Sequence, residues 1–172
     1  EQYVLADEEG VDGIMTNEHH SAFWNMKPSA NLDAAVISRI THKVKIAILG
    51  NILPISDPVR MAEELAMLDC LTDGRLISGF VRGIPREYVA YGVDQGESRA
   101  RFQEAWEIIK LAWSEEAFSY KGEFWTYDDV AIWPRPVQQP RPPVWVPVTV
   151  SKETIEWAGR ENIPITPGAN AT

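Results

Sequence analysis

The sequence predicts an α/β fold on a parallel sheet, and within that class a (β/α)8 barrel. Short runs rich in Ile, Val and Leu alternate with longer stretches of helical period, which is typical of strand-helix units around a parallel sheet. No Gly-x-Gly-x-x-Gly fingerprint follows these runs, which disfavours the doubly wound dinucleotide fold. A complete barrel needs about 250 residues, so we expect the 172 residues to form an incomplete fragment of one.

Five runs are predicted to be strands because they are rich in branched aliphatic residues and are bounded by polar or glycine-containing segments. They lie at 13–16, at 44–49 with a continuation at 51–55, at 75–81, at 144–150 and at 163–166. Five strands are three fewer than a complete barrel contains.

Three helices are predicted between these strands. The clearest begins at Asp57, an acceptor side chain followed by proline, and ends near Gly74, where glycine allows the left-handed conformation that commonly closes a helix. A long helix is predicted from about 98 to 113, because its apolar residues recur at spacings of three and four. A third helix opens at Ser151 and runs through 157.

The segment 115–143 interrupts this alternation with six aromatic residues and a cluster of prolines. Glycine and serine dominate flexible linkers, whereas large rings pack against the body of a domain. We therefore predict one partial barrel domain over 1–172, with an ordered excursion at about 115–143.

Composition excludes several classes of partner. The net charge of −9 repels a phosphate backbone, so we expect no nucleic acid partner. The sequence contains no apolar run of about 18 residues, so no membrane span is expected. Cys70 is the single cysteine and cannot form an internal disulfide, which favours a reducing, cytoplasmic location.

The tripeptide Glu18-His19-His20 follows the first predicted strand, which in a barrel is the catalytic rim. Two imidazoles beside a carboxylate can act as general acid or base near neutral pH, or can bind a metal. Neighbouring strand residues point to opposite faces, which disfavours a shared metal ion. A capping or core role stays equally open. A metal-dependent barrel hydrolase using Glu18, His20 and His42 is a further alternative.

Two other features can bind an anion. Arg82 ends the third predicted strand beside glycine and can clamp an anion, although a surface ion pair is the simpler interpretation. Ser151 and Thr154 open a helix whose free backbone N–H groups and dipole favour a phosphate, with Lys152 nearby. The alternative for this second feature is an ordinary N-cap.

Several short motifs follow one another along the chain. They are Glu18-His19-His20, Leu53-Pro54, Asp57-Pro58-Val59-Arg60, Gly74-Arg75-Leu76, Gly79 to Gly83, Trp133-Pro134-Arg135-Pro136 and Pro142-Pro143-Val144-Trp145-Val146. Taken in order, these motifs resemble the bacterial luciferase-like flavin-dependent monooxygenases, and the resemblance covers nearly the whole chain. It implies a (β/α)8 TIM barrel, of which this chain supplies roughly strands 2 to 6.

The resemblance also implies roles for individual residues. Reduced FMN, or the deazaflavin F420 in one branch, would bind at the carboxyl ends of the strands. His19 would assist flavin and peroxide chemistry, supported by His20 and Glu18. Further flavin contacts would come from a bulge with a non-prolyl cis peptide, from an arginine and from two hydroxyls at the phosphate. In this sequence those residues are Leu49, Gly50, Asn51, Arg82, Ser151 and Thr154.

The function implied is that of a flavin-dependent monooxygenase. Reduced FMN and O2 would form a C4a-hydroperoxide that oxygenates a small apolar organic substrate, a separate flavin reductase would supply the reduced FMN, and the protein would be a dimer. Val81 stands where the light-emitting luciferase subunit has a cysteine, so light emission is not expected. An F420-dependent hydride-transfer oxidoreductase and a catalytically silent barrel subunit are the alternatives within the same fold.

Overall fold

The computed structural model describes residues 1–148 and 151–167. It contains six α-helices and eight strands within these residues. The α-helices are α1 (Gln2–Glu8), α2 (Ala30–Ile40), α3 (Pro58–Thr72), α4 (Pro85–Tyr91), α5 (Ser98–Ser114) and α6 (Lys152–Arg160). The strands are β1 (Gly13–Thr16), β2 (Lys45–Ile48), β3 (Asn51–Ile52), β4 (Leu76–Val81), β5 (Phe118–Lys121), β6 (Thr126–Val130), β7 (Val144–Val148) and β8 (Ile165–Pro167).

The main sheet is a curled, parallel half-barrel. Its order is β1-β2-β4-β7-β8, and β3 continues β2 beyond a bulge and pairs with β4. The predicted parallel α/β fold is therefore confirmed, and each of the five predicted strands has a counterpart. The fourth of them, predicted at 144–150, is observed to Val148, and residues 149 and 150 lie outside the described part.

The core lies between this sheet and its helices. On β4, Leu76, Ser78 and Phe80 are buried on one face. The Phe80 ring lies 5.7 Å from Trp106 and 6.4 Å from Trp113, both on α5, measured between ring centroids. Burying one such side chain stabilises the fold by about 2 to 3 kcal/mol. The opposite face of β4 carries Ile77 and Val81, which are only partly buried.

Strands β2 and β4 approach each other backbone to backbone at the end that carries the bulge. A Cβ atom at Gly79 would overlap the carbonyl oxygen of Ile48, and one at Gly50 would lie 2.7 Å from the carbonyl oxygen of Gly79. Only glycine fits at either position. The Leu49–Gly50 peptide bond is cis, so the bulge with a non-prolyl cis peptide that the resemblance implied is present.

Helix α3 has the ends that its sequence predicts. The Asp57 carboxylate accepts a hydrogen bond of 2.8 Å from the Arg60 amide, and the chain leaves the helix through left-handed conformations at Asp73 and Gly74. Helices α2 and α4 were not predicted. In α2 the exposed face carries Leu32, which is 72% exposed, so apolar residues on both faces obscure the helical period.

The segment 115–143 contains an antiparallel hairpin of β5 and β6. One carboxylate, that of Glu104 on α5, accepts hydrogen bonds from the backbone amides of Glu123, Phe124 and Trp125 at the hairpin turn. This contact fastens the hairpin to the domain, which agrees with an ordered excursion. Among the described helices, none combines the length and the apolar character that crossing a membrane requires.

Two charged side chains close the amino ends of the strands. The Arg75 guanidinium donates five hydrogen bonds to the ends of α2 and α3 and to the loop before β2, four of them to backbone carbonyls. The Asp7 carboxylate accepts the backbone amides of His42, Lys43 and Val44. These bonds, that from Val44 above all, lower the pKa of Asp7 to about 2.

Candidate active site

A cavity of about 420 Å3 opens at the carboxyl ends of β1, β3, β4 and β7. One part of its wall is apolar and another part carries charged and polar groups, which is the usual composition of a small-molecule site. The apolar wall consists mainly of Leu49, Ile52, Phe80, Val81, Ile84, Phe102, Val146, Val148 and Trp157. The polar lining consists of Asn17, Glu18, His19, Arg82, Arg99, Gln103, Ser151 and Thr154.

His19 reaches this cavity from the loop after β1, and its ring is held by Glu87 of α4. Nδ1 of His19 lies 3.0 Å from Oε1 of Glu87. Glu87 is fully buried and also accepts the backbone amides of His20 at 3.1 Å and of Ile84 at 2.8 Å. Because the carboxylate acts as the acceptor for all three groups, Nδ1 of His19 is the donor. The other ring nitrogen, Nε2, has no hydrogen-bond partner within 1–148 and 151–167, so it can exchange a proton.

Glu18 lines the cavity and also holds the backbone around it. Its carboxylate accepts hydrogen bonds from the backbone amides of Ala30 and Ile52 and from the side chain of Asn51. These bonds join the loop after β1 to α2 and β3. The carboxylate partner of His19 is Glu87, which lies 68 residues further along the chain, and Glu18 is a structural acceptor at the cavity edge.

His20 and Asn51 turn away from the main cavity. Nδ1 of His20 lies 2.8 Å from the Tyr91 hydroxyl, and its Nε2 lies 3.7 Å from the Glu18 carboxylate. The Asn51 side chain is fully buried and donates hydrogen bonds to Glu18 and Asn31. Both residues line a second, smaller cavity of about 160 Å3.

The cationic end of the main cavity lies between β4, α5 and α6. Arg82 follows β4, Arg99 lies in the first turn of α5, and Ser151 is the N-cap of α6. The Ser151 hydroxyl accepts hydrogen bonds from the Thr154 amide at 3.4 Å and from the Thr154 hydroxyl at 2.9 Å. Two guanidinium groups, two hydroxyls and the N-terminus of a helix lie together here, and donors of these kinds suit a phosphate.

Seven residues named from the sequence line the main cavity, and they come from four separate segments of the chain. They are Glu18, His19, Leu49, Gly50, Arg82, Ser151 and Thr154. Their assignment as catalytic or flavin-binding residues stays a prediction. The metal alternative joined Glu18, His20 and His42, but the His42 amide binds Asp7 at the opposite end of the strands. Over 1–148 and 151–167, no group of three metal-binding side chains is brought together.

Sequence reasoning did not identify Glu87 and Arg99. Glu87 lies in a short helix that was not predicted, and its contact with His19 depends on the packing of α4 against the loop after β1. Arg99 opens the long predicted helix α5, but no local pattern shows that its side chain reaches the same cavity as Arg82. The one signal that could have indicated Arg99 is its place at the start of a helix on the barrel, where a charged side chain can reach the carboxyl ends of the strands.

Comparison with known proteins agrees with this geometry. The family model described as luciferase-like monooxygenase matches residues 1–172. The chain belongs to the luciferase-like monooxygenase family. The predicted membership is therefore confirmed. A curated relative, the oxygenase component of the flavin-dependent trigonelline monooxygenase of Acinetobacter baylyi, is 32% identical over 145 residues, which are 83% of this chain and 40% of that protein.

Several solved structures share the fold. Monooxygenase RslO1 from Streptomyces bottropensis superposes with a TM-score of 0.90 at 31% identity, over 95% of this chain and 50% of that chain. The oxygenating constituent of 3,6-diketocamphane monooxygenase of Pseudomonas putida, solved with FMN, gives 0.88 at 23% identity over 99% and 52%. An F420-dependent secondary alcohol dehydrogenase gives 0.74 at 20% identity over 86% and 47%. The chain thus spans about half the length of these structures.

Proposed function

We propose that the protein is a flavin-dependent monooxygenase that uses reduced FMN and O2, through a flavin C4a-hydroperoxide, to oxygenate a small apolar organic substrate. The observation that carries this proposal is the composition of one cavity. An anchored imidazole and an apolar wall share it with a donor set that suits a phosphate. Family membership and the FMN complex of the 3,6-diketocamphane monooxygenase constituent, which has the same fold, support the same assignment.

The residues present fit FMN at both ends. Arg82, Arg99, Ser151 and Thr154 would hold its phosphate, and the apolar side chains around Leu49 and Val81 would contact its ring system. When bound, the reduced flavin supplies electrons to O2. The protein supplies position, orientation and an environment with little water.

His19 would manage the proton of the reaction. Glu87 fixes its orientation and keeps the proton on Nδ1, so that Nε2 can accept a proton and return it. The histidine side chain is 30% exposed, which leaves it accessible from the cavity. Apolar side chains, including Val146 and Val148, line the same cavity and exclude water from reactive species.

Partners belong to the proposal as well. The Acinetobacter relative is named an oxygenase component, which indicates that it works with another protein. We propose that this protein likewise receives reduced FMN from a separate reductase and that it forms a dimer. The apolar part of the cavity wall favours a substrate with little charge.

The test uses the full-length protein. It is mixed anaerobically with reduced FMN and then with O2, and the flavin absorbance is recorded over time. We expect an oxygenated flavin species that outlives the reaction of free flavin. His19→Ala should shorten its lifetime on the order of a hundredfold, because proton control is lost. His42→Ala, at the other end of the strands, should leave the lifetime unchanged.

Reoxidation at the rate of free flavin would contradict the proposal. An unchanged lifetime in the His19→Ala protein would exclude the role assigned to this histidine.

The second candidate is an F420-dependent oxidoreductase that transfers hydride without oxygen insertion. The structural similarity to an F420-dependent secondary alcohol dehydrogenase favours it. Parallel titrations with FMN and F420 separate the two functions, since saturable binding of F420 together with no binding of FMN would replace the monooxygenase proposal.

A further inference from the structure

A carboxylate lies among the groups that would hold the cofactor's phosphate. Glu153 is the second residue of α6, and its side chain is 67% exposed. The Ser151 hydroxyl donates a hydrogen bond of 3.2 Å to its Oε2 atom. The same Oε2 atom lies 3.5 Å from Nη2 of Arg99. Glu153 therefore contacts two of the four side chains assigned to the phosphate.

A phosphate and this carboxylate compete in two ways. They seek the same donors, because a hydroxyl hydrogen and a guanidinium N–H that bind Glu153 are withdrawn from a second anion. They also repel each other, because both are negatively charged and would lie within a few ångströms in a partly enclosed site. Arg82 also acts on Glu153 electrostatically, so both arginines of the cationic end are shared with it.

The charge on Glu153 is permanent under ordinary conditions. Its own backbone amide, the Ser151 hydroxyl and Arg99 lower the pKa of this carboxyl group. It therefore stays ionised throughout the neutral range, and the competition does not vary with pH there.

We propose that Glu153 is a competing anion that weakens the binding of the flavin phosphate and so sets how strongly the protein prefers FMN to riboflavin. This inference rests on the proposed function. A weaker hold on the phosphate end gives faster dissociation, since affinity differences of this kind are expressed mainly in the off-rate. Fast exchange suits a reduced flavin that is delivered by another protein and leaves after oxidation.

The test compares Glu153→Gln with the wild-type full-length protein and with Glu156→Gln. Glu156 is a matched control, because it lies on the same helix and pairs only with Lys152, at 3.7 Å, in the part of the chain that the structure describes. Dissociation constants are measured for FMN, riboflavin and inorganic phosphate with each protein. The glutamine is close in size to glutamate, and the position is exposed, so the helix is preserved.

We expect Glu153→Gln to lower the dissociation constant of FMN about tenfold, as removal of one nearby like charge predicts, and that of inorganic phosphate in the same direction. Riboflavin binding should not change, and Glu156→Gln should change none of the three. Unchanged or weaker FMN binding in Glu153→Gln would overturn the inference, and so would an equal gain for riboflavin. Wild-type protein that binds neither flavin would instead overturn the proposed function, and the inference with it.

Discussion

The two ends of the half-barrel both carry arginines next to β4, but they use them differently. At the amino end, Arg75 donates five hydrogen bonds to the chain itself. At the carboxyl end, Arg82 lines the cavity, and its guanidinium has no hydrogen-bond partner among residues 1–148 and 151–167. One charge is saturated by the protein, and the other retains its donors for a ligand.

The same contrast holds for the other ionisable side chains at the two ends. Asp7 accepts three backbone amides and Arg75 binds four carbonyls, so both hold loops in place. His19 has one ring nitrogen held by Glu87 and the other available. Both ends of the strands carry charged side chains, so charge alone does not mark the functional end. The functional end is the one whose hydrogen-bond donors and acceptors are not all used by the protein itself.

The sharpest test of this contrast is stability. Arg75→Met should lower the free energy of unfolding by about 3 kcal/mol, because several buried carbonyls lose their donor. Arg82→Met should change it by less than about 0.5 kcal/mol. Urea unfolding followed by circular dichroism measures both. Equal losses in the two variants would remove the distinction between the two ends.

Ligand affinity should show the reverse order. Arg82→Met should weaken FMN binding about a hundredfold through loss of a charge-assisted contact to the phosphate, with riboflavin binding unchanged. Arg86→Met is the control, since Arg86 is exposed and lies 5.7 Å from the Trp24 ring. A flavin titration by fluorescence distinguishes them, and an equal effect of both arginines would indicate a general charge effect.

A smaller effect is expected when the carboxylate that holds the His19 ring is removed. Glu87→Gln should shorten the lifetime of the oxygenated flavin about tenfold, because an amide does not enforce the same orientation and proton position on His19. FMN affinity should stay within about twofold of the wild type. In a His19→Ala background the same substitution should add nothing, as expected of two residues that act as one unit. A parallel loss of FMN affinity would show that Glu87 supports the loops instead.

The smallest expected effect is the pH dependence of the stability that Asp7 contributes at the amino ends of the strands. The pKa of Asp7 is about 2 in the folded protein and ~3.9 in an unfolded chain, so its stabilisation is present above about pH 4 and is lost as the pH falls toward 2. Asp7→Asn should lower Tm at pH 7, and the gap to the wild type should close in acid. Asp12→Asn, at an exposed position, should show no such gap. A difference in Tm that persists at low pH would contradict the lowered pKa of Asp7 as its cause.

Sequence patterns predicted the fold where local chemistry and burial agree. The cap at Asp57 and the left-handed exit of α3 are local signals, and both are observed. Helix α2 was missed because Leu32 and Val36 are exposed apolar residues on the face opposite its buried alanines. The β5–β6 hairpin was missed because no short turn motif marks it, and its turn is held by Glu104 from another element.

The site could be predicted where a motif lies on one segment. His19 and Ser151 lie in the segments that come after β1 and β7, and both line the cavity. The pairing of His19 with Glu87 could not be predicted, since it depends on how the loop after β1 packs against α4, across 68 residues of sequence. The hydrogen bonds of Glu18 could not be predicted either, because adjacency in sequence does not reveal which backbone amides a carboxylate will meet.

The glycine contact between β2 and β4 has a practical consequence for redesign. Gly50 lines the cavity, yet neither it nor Gly79 has space for a methyl group. A saturation library at these two positions should return glycine almost alone. Variation aimed at a new substrate range belongs first at Val81, whose side chain lines the cavity and is only partly buried, whereas Val146 and Val148 also belong to the core.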